Sequence, residues 1–152
     1  MQDTNRKDEN ASTAIKGVEY QIPPKEGFIL THFLTVADVK RSAEFYLRIL
    51  DGKVVTEGEP TVIQIANSWL ILNIGGDPTD DKPAVTLRTP QNLNEASNFM
   101  NIRVADIQSC YQEWQKKGAK FLTEPKEHKF ETRCYMRDPD GYIIEVGQSK
   151  NV

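Results

Sequence analysis

The sequence predicts an α+β fold built from two βαβββ units, and three observations carry that reading. Val36-Ala37-Asp38-Val39 returns as Val104-Ala105-Asp106-Ile107. Each copy follows an apolar, β-branched run and precedes an amphipathic helix, a glycine and further strands, the order expected of a duplicated unit. Finally, Arg137-Asp138-Pro139-Asp140-Gly141-Tyr142-Ile143-Ile144-Glu145-Val146 reads as a tight turn feeding a strand. Its Asp-Pro-Asp-Gly core offers a fixed φ, side-chain acceptors for backbone N–H groups, and a glycine where φ must be positive.

Taken in order, residues 1–26 read as a flexible tail. Met1 to Gln21 are polar and charged, and Pro23-Pro24 leads into the first regular element. One domain, residues 27–149, follows, with modules at 28–74 and 97–149. Phe28 to Val36 reads as a strand, and Asp38 caps a helix from Val39 to Leu50 that Gly52 ends. Its core stripe is expected at Ala43, Tyr46, Leu47 and Leu50. Three short strands follow at Lys53–Thr56, Val62–Ala66 and Trp69–Ile74. Gly75 to Asn94 is a turn-rich linker or lid with a short strand at Ala84–Arg88. The second module reads as a strand at Phe99–Val104, a helix at Ile107–Lys117 stopped by Gly118, and a strand at Lys120–Leu122. A polar loop over Thr123–Phe130 and strands at Glu131–Met136 and Tyr142–Gly147 complete it.

The totals bound the function. A chain of 152 residues can bury a real core, and 22 acidic against 19 basic residues give a net charge of -3. No basic cluster interleaved with aromatics marks a nucleic-acid partner, and no apolar run reaches membrane-spanning length. Cys110 and Cys134 do not make a disulfide framework; reduced thiols and a cytoplasmic location are the expectation. Nucleotide loops, Gly-x-Ser-x-Gly elbows and Cys-x-x-Cys pairs are absent from the sequence.

Glu145 is the residue with most chemistry to explain. A carboxylate among Ile143, Ile144 and Val146 is costly without a partner. It is therefore a metal or ligand contact, or the acceptor in a buried network with Arg133 or Arg103. His32 reads either as a ligand or general base, or as a histidine packed beneath the first helix. Arg133 and Tyr135 alternate with Glu131 and offer a cation and a phenol to an anionic or enolate-like substrate, with Cys134 turned to the helices. Phe33, Trp69 and Phe99 read as an apolar pocket wall or as core. His128 reads as a loop residue able to swing over a ligand, or as plainly solvated.

The motifs Thr35-Val36-Ala37-Asp38-Val39 through Phe45-Tyr46, Arg103-Val104-Ala105-Asp106-Ile107 and Arg137 to Val146 together resemble the vicinal oxygen chelate superfamily. That superfamily includes glyoxalase I, bleomycin-resistance proteins and extradiol dioxygenases. The resemblance spans roughly residues 28–149. It implies that the two modules form a U-shaped mixed sheet with helices on its outer face and, in the enzymes, a divalent metal in the cup held by His and Glu. Glu145 matches the acidic ligand of the last strand, whereas the second-module histidine position is Phe99. The first-module position falls on Thr31, one residue from His32, so His32 joins Glu145 only through a strand bulge. The remaining ligand position falls within Leu70–Asn73, where Asn73 alone is polar enough to serve. The implied ligand set is thus incomplete, with Glu145 and His32 as its candidate members. Two functions follow: a metal-assisted lyase, isomerase or dioxygenase acting on a small oxygen-rich molecule through Glu145, His32, Arg133 and Tyr135, or metal-free sequestration of a small molecule. The resemblance also implies a homodimer, which Trp69 and the loop at Asp77–Pro83 would help to form.

Overall fold

The computed structural model describes residues 20–151. Most of the expected tail, residues 1–19, lies outside them. The chain runs β1 (His32–Val36), α1 (Val39–Leu50), β2 (Lys53–Thr56), β3 (Thr61–Ile65), β4 (Ser68–Ile74), β5 (Met100–Arg103), α2 (Ile107–Lys116), β6 (Lys120–Phe121), β7 (Lys126–Glu127), β8 (Glu131–Arg137) and β9 (Ile143–Ser149).

The repeat is topological as well as sequential. The first sheet has the order β1-β4-β3-β2 and the second β5-β9-β8-β6, with β7 paired to β8. In each sheet the strand before the helix pairs in parallel with the module's last strand, and the other neighbours are antiparallel. Asp38 and Asp106, the matched aspartates of the repeat, are the N-caps of α1 and α2, accepting from the N–H groups of Arg41 and Ser109.

One buried cluster draws on both modules. Leu34, Val36, Ile63, Leu70 and Leu72 from the first sheet meet Cys134, Met136, Ile144 and Val146 from the second, with Phe45, Tyr46, Ile49, Ile107 and Trp114 from the helices. Burying an aliphatic or Met side chain stabilises by roughly 1.5–3 kcal/mol, and seven of the residues in this cluster expose none of their surface. Strand alternation then fixes the opposite faces, which present Phe33, Thr35, Trp69 and Ile71 on the first sheet and Glu131, Arg133, Tyr135 and Glu145 on the second.

The Asp-Pro-Asp-Gly turn clasps the modules together. Asp138 accepts from the N–H groups of Asp140 and Tyr142, and Gly141 takes the positive φ of 88°. The same side chains also reach across to the first module. Tyr46 of α1 donates to Asp138 at 2.7 Å, while Asp140 accepts from the Ala37 N–H, the Ser42 hydroxyl and the Arg41 guanidinium at 3.0–3.1 Å. Tyr142 donates to the Thr35 carbonyl at 2.8 Å. At the far end of the helices, Arg48 donates to the Lys117 carbonyl and Lys117 pairs with Asp51.

Several local expectations are corrected. β1 begins only at His32, opposite Leu70 of β4; Phe28 and Leu30 ahead of it are left largely exposed. Asp51, not Gly52, takes the left-handed position that ends α1; Gly52 instead lies where a Cβ would come within 2.7 Å of Ile63. The buried stripe of α1 is Val39, Ser42, Phe45, Tyr46 and Ile49. Ala43 and Leu47 face a groove of about 1100 Å³ between α1 and the β2–β3 hairpin. The expected strand at Ala84–Arg88 is reduced to an isolated bridge between Gly76 and Leu87, and the polar loop at 123–130 contains the short β7. No helix among the described residues is long and apolar enough to cross a membrane.

Candidate functional site

The candidate site is built on the face of the second sheet turned away from the core. β5, β9 and β8 place Asn101, Glu145 and Tyr135 directly opposite one another, and the next row is Arg103, Gly147 and Arg133. Because Ile144 and Val146 point into the core, Glu145 must point the other way. It is 8% exposed, and both of its oxygens are occupied. Oε1 accepts from the Asn101 amide, and Oε2 accepts from the Tyr135 hydroxyl at 2.6 Å. This proton stays on Tyr135: donation to Glu145, together with burial, raises the phenol above its ordinary pKa. Phe99 packs edge-on against the Tyr135 ring, 5.9 Å between centroids.

The arginines serve a different carboxylate. Arg103 reaches Glu131 Oε2 at 2.7 Å and Arg133 reaches Glu131 Oε1 at 2.9 Å, so the two guanidinium groups share one acid. These bonds, with Arg133 the stronger contributor, hold the Glu131 carboxyl below its ordinary range. Arg103 approaches Glu145 only to 3.9 Å. Of the partners expected for Glu145, Arg103 is thus present only as this long ion pair, Arg133 is not, and the hydrogen bonds come from an amide and a phenol. Gly147 makes the arginine bridge possible, since a Cβ there would fall inside the Arg103 guanidinium.

His32 does not join this group. β1 and β4 pair in unbroken register from His32 to Val36, with no bulge to turn the histidine. His32 lies on the same face as Leu34, beside Tyr46 and Met100 around a small gap on the helix side of the strand, and it remains exposed. Asn73 turns its side-chain oxygen to the N–H of Ile74. Thus Glu145 and Tyr135 come together, Arg133 sits in the neighbouring row, and His32 is elsewhere. Asn101 and Gly147 are the members that sequence reasoning missed; the strand alternation placing Arg103 on the Glu145 face carries the signal for Asn101.

A divalent metal is the group this fold implies, and the donors do not fit it. Glu145 has one lone-pair direction on each oxygen committed to a donor, and Phe99 stands where an imidazole would be needed. Among the described residues no three His, Cys, Asp or Glu side chains gather closely enough to hold an ion. His128 lies in the loop before β8, its N–H bonded to the Glu131 carbonyl at 2.8 Å. Cys134 is buried in the core, where desolvation pushes its thiol up to about 11; neither it nor Cys110 is in a disulfide.

Comparison with known proteins agrees with this architecture. The chain is 26% identical over 144 residues to a probable lactoylglutathione lyase from Synechocystis, covering 82% of this chain and 97% of the relative. A glyoxalase/bleomycin resistance protein/dioxygenase from Nocardioides superposes with a TM-score of 0.64 at 17% identity, over 84% of this chain and 87% of that one. TnmS3, an antibiotic binding protein from Streptomyces sp. CB03234, superposes with a TM-score of 0.57 at 18% identity, over 84% and 99%. With residues 29–146 matching its family model, the chain belongs to the Glyoxalase/Bleomycin resistance protein/Dioxygenase superfamily.

Proposed function

We propose that this protein binds a small molecule without a metal ion, on the sheet face that carries Glu145 and Tyr135. One observation carries the reading: Glu145 is engaged on both oxygens by Asn101 and Tyr135, and Phe99, not an imidazole, stands beside Tyr135. A carboxylate held in this way keeps a hydroxyl and an amide in fixed orientation, which is what a recognition surface needs. Asn101 retains an amide oxygen and Tyr135 a phenolic lone pair for a ligand's donors. The resemblance to an antibiotic binding protein supports sequestration as the use of such a face. Metal-assisted lyase chemistry, suggested by the Synechocystis relative, would need ligands that Phe99 and His32 do not supply.

Pairing of two copies belongs to the same proposal. β1 is an edge strand, and Phe33 on it is nearly half exposed. Light scattering on the purified chain should give a dimer mass. The two thiols, unpaired, suit a reducing cytoplasm.

Elemental analysis of protein purified without chelator, followed by titration with Mn²⁺, Ni²⁺ and Zn²⁺, tests the central claim. Wild type and Glu145→Gln should both lack stoichiometric, tightly held metal. A wild-type protein that binds one ion tightly, with the binding lost in Glu145→Gln, would overturn it.

A further inference from the structure

The distribution of charge on the second sheet names the class of ligand, and this step rests on the metal-free reading above. Arg103, Arg133 and Arg137 share the Glu145 face with Lys120 and Lys126, which stand directly opposite Arg137 and Arg133. Among the described residues, Glu131 and Glu145 are the carboxylates these strands place on that face, and even with Glu124, which pairs with Lys126, they are outnumbered by the five cations, within a chain whose net charge is -3. The excess is therefore local.

Two of the cross-strand pairs are like-charged. Directly opposite residues of an antiparallel ladder have their Cβ atoms about 4.5–5.5 Å apart, so a cation facing a cation is unfavourable unless something intervenes. For Arg133 and Lys126 the chain supplies the remedy: Glu131 pairs with the first at 2.9 Å and Glu124 with the second at 2.9 Å. For Arg137 and Lys120 it does not. Among the described residues neither has a carboxylate partner; Arg137 donates only to the Gly141 carbonyl at 3.0 Å.

Between the two cationic pairs lies an apolar shelf. Tyr135 is half-buried, with Phe99 edge-on at its ring. The ladder continues beyond β6, where the Leu122 N–H donates to the Tyr135 carbonyl at 2.8 Å, so Leu122 faces the same side as Lys120. Phe99 is 46% exposed and Leu122 50%, which leaves both able to cover a flat ligand.

We infer that the ligand is an organic oxyanion with a flat apolar body, the body lying on Tyr135 between Phe99 and Leu122 and the anion seated by Arg137 and Lys120. A guanidinium presents paired N–H donors that match a carboxylate or a phosphoryl group, and Lys120 adds a second charge.

The test uses the full chain in EDTA and three probes of one shape: 2-naphthoate, 2-naphthyl phosphate and the neutral 2-naphthamide. Calorimetry should show the anions binding about tenfold or more tightly than the amide at low salt, the difference expected of a charge-assisted hydrogen bond. High salt should narrow that gap. Arg137→Gln and Lys120→Gln should abolish the preference for anions while leaving amide binding intact, and Tyr135→Ala should weaken all three probes. Circular dichroism checks that each variant is folded. The relative strength of naphthoate and naphthyl phosphate assigns the anion to the carboxylate or phosphoryl class. Equal binding of amide and anions overturns the oxyanion inference and leaves metal-free binding standing. Binding that appears only when Mn²⁺ replaces EDTA overturns both, and no binding under either condition overturns the ligand class.

Discussion

Removing the Tyr46 hydroxyl tests whether the clasp between the modules carries stability. Tyr46 exposes none of its surface and Asp138 only 5%, and their 2.7 Å bond joins α1 to the β8–β9 turn. Tyr46→Phe preserves ring packing and deletes one donor to a carboxylate, a loss of about 1.5–3 kcal/mol. At about 2–4 °C per kcal/mol for a chain of this size, the midpoint should fall by about 3–12 °C. Asp138→Ala should cost more, because it strands the Tyr46 hydroxyl and the N–H groups of Asp140 and Tyr142 together. Asp138→Asn should fare better than alanine: its oxygen still serves the two backbone donors, and its amide can donate to Tyr46. Urea denaturation of the two single variants and the Tyr46→Phe/Asp138→Ala double variant completes a cycle. A coupling below about 0.5 kcal/mol would refute the claim that this bond fastens the modules.

The pH dependence of the same clasp has a definite sign. Burial raises the Asp138 carboxyl above its ordinary range, so its contribution is complete below the unfolded pKa and is lost as pH rises through the folded value. Acidification through the carboxylate range should therefore stabilise wild type relative to Asp138→Asn, as measured by midpoint against pH. Glu131 has the opposite sign: its folded pKa is lowered by Arg133 and Arg103, so wild type should lose its advantage over Glu131→Gln as pH falls through that lowered value. Gly147→Ala should break the Arg103–Glu131 bridge, and a ¹⁵N spectrum of the arginine side chains should show the Arg103 resonance shifted toward a solvated position. Iodoacetamide should leave Cys134 unlabelled in the native protein and label it after unfolding, because the thiol is buried and its pKa stands near 11.

The sequence made the fold legible where pattern and capping agree. Asp38 and Asp106 precede helical periodicity, and both emerge as N-caps; the paired modules appear in the same strand order. Pattern failed where pairing decides. Phe28 to Leu30 is as apolar as a strand but lies ahead of the β1–β4 ladder, which starts at His32 and Leu70, while Lys126-Glu127 has no apolar signal and pairs with β8 nonetheless. The site was legible in part. Alternation placed Glu145, Tyr135 and Arg133 on one face, and the same rule turned His32 to the other. Which partner each charge would choose was not legible. Arg133 lies two residues from both Glu131 and Tyr135 along one face, and only the strand register shows that Tyr135, not Arg133, stands opposite Glu145.

The turn and the carboxylate that follow one another in Asp138-Pro139-Asp140-Gly141-Tyr142-Ile143-Ile144-Glu145 do separable work. The aspartates look toward α1, where Tyr46, Arg41, Ser42 and the Ala37 N–H receive them, so this half of the motif is answered by the first module. Glu145 looks away from the core and is answered within its own sheet by Asn101 and Tyr135. The first set of contacts holds the modules together whatever the outer face binds; the second can change partners without disturbing the clasp. A substitution that removes the Glu145 charge should thus alter ligand recognition with little effect on the Tyr46–Asp138 coupling, while Tyr46→Phe should lower stability and leave the affinity of the folded protein for naphthoate unchanged. If Tyr46→Phe weakened naphthoate binding as much as Arg137→Gln does, the two halves of the motif would have to be treated as one coupled unit.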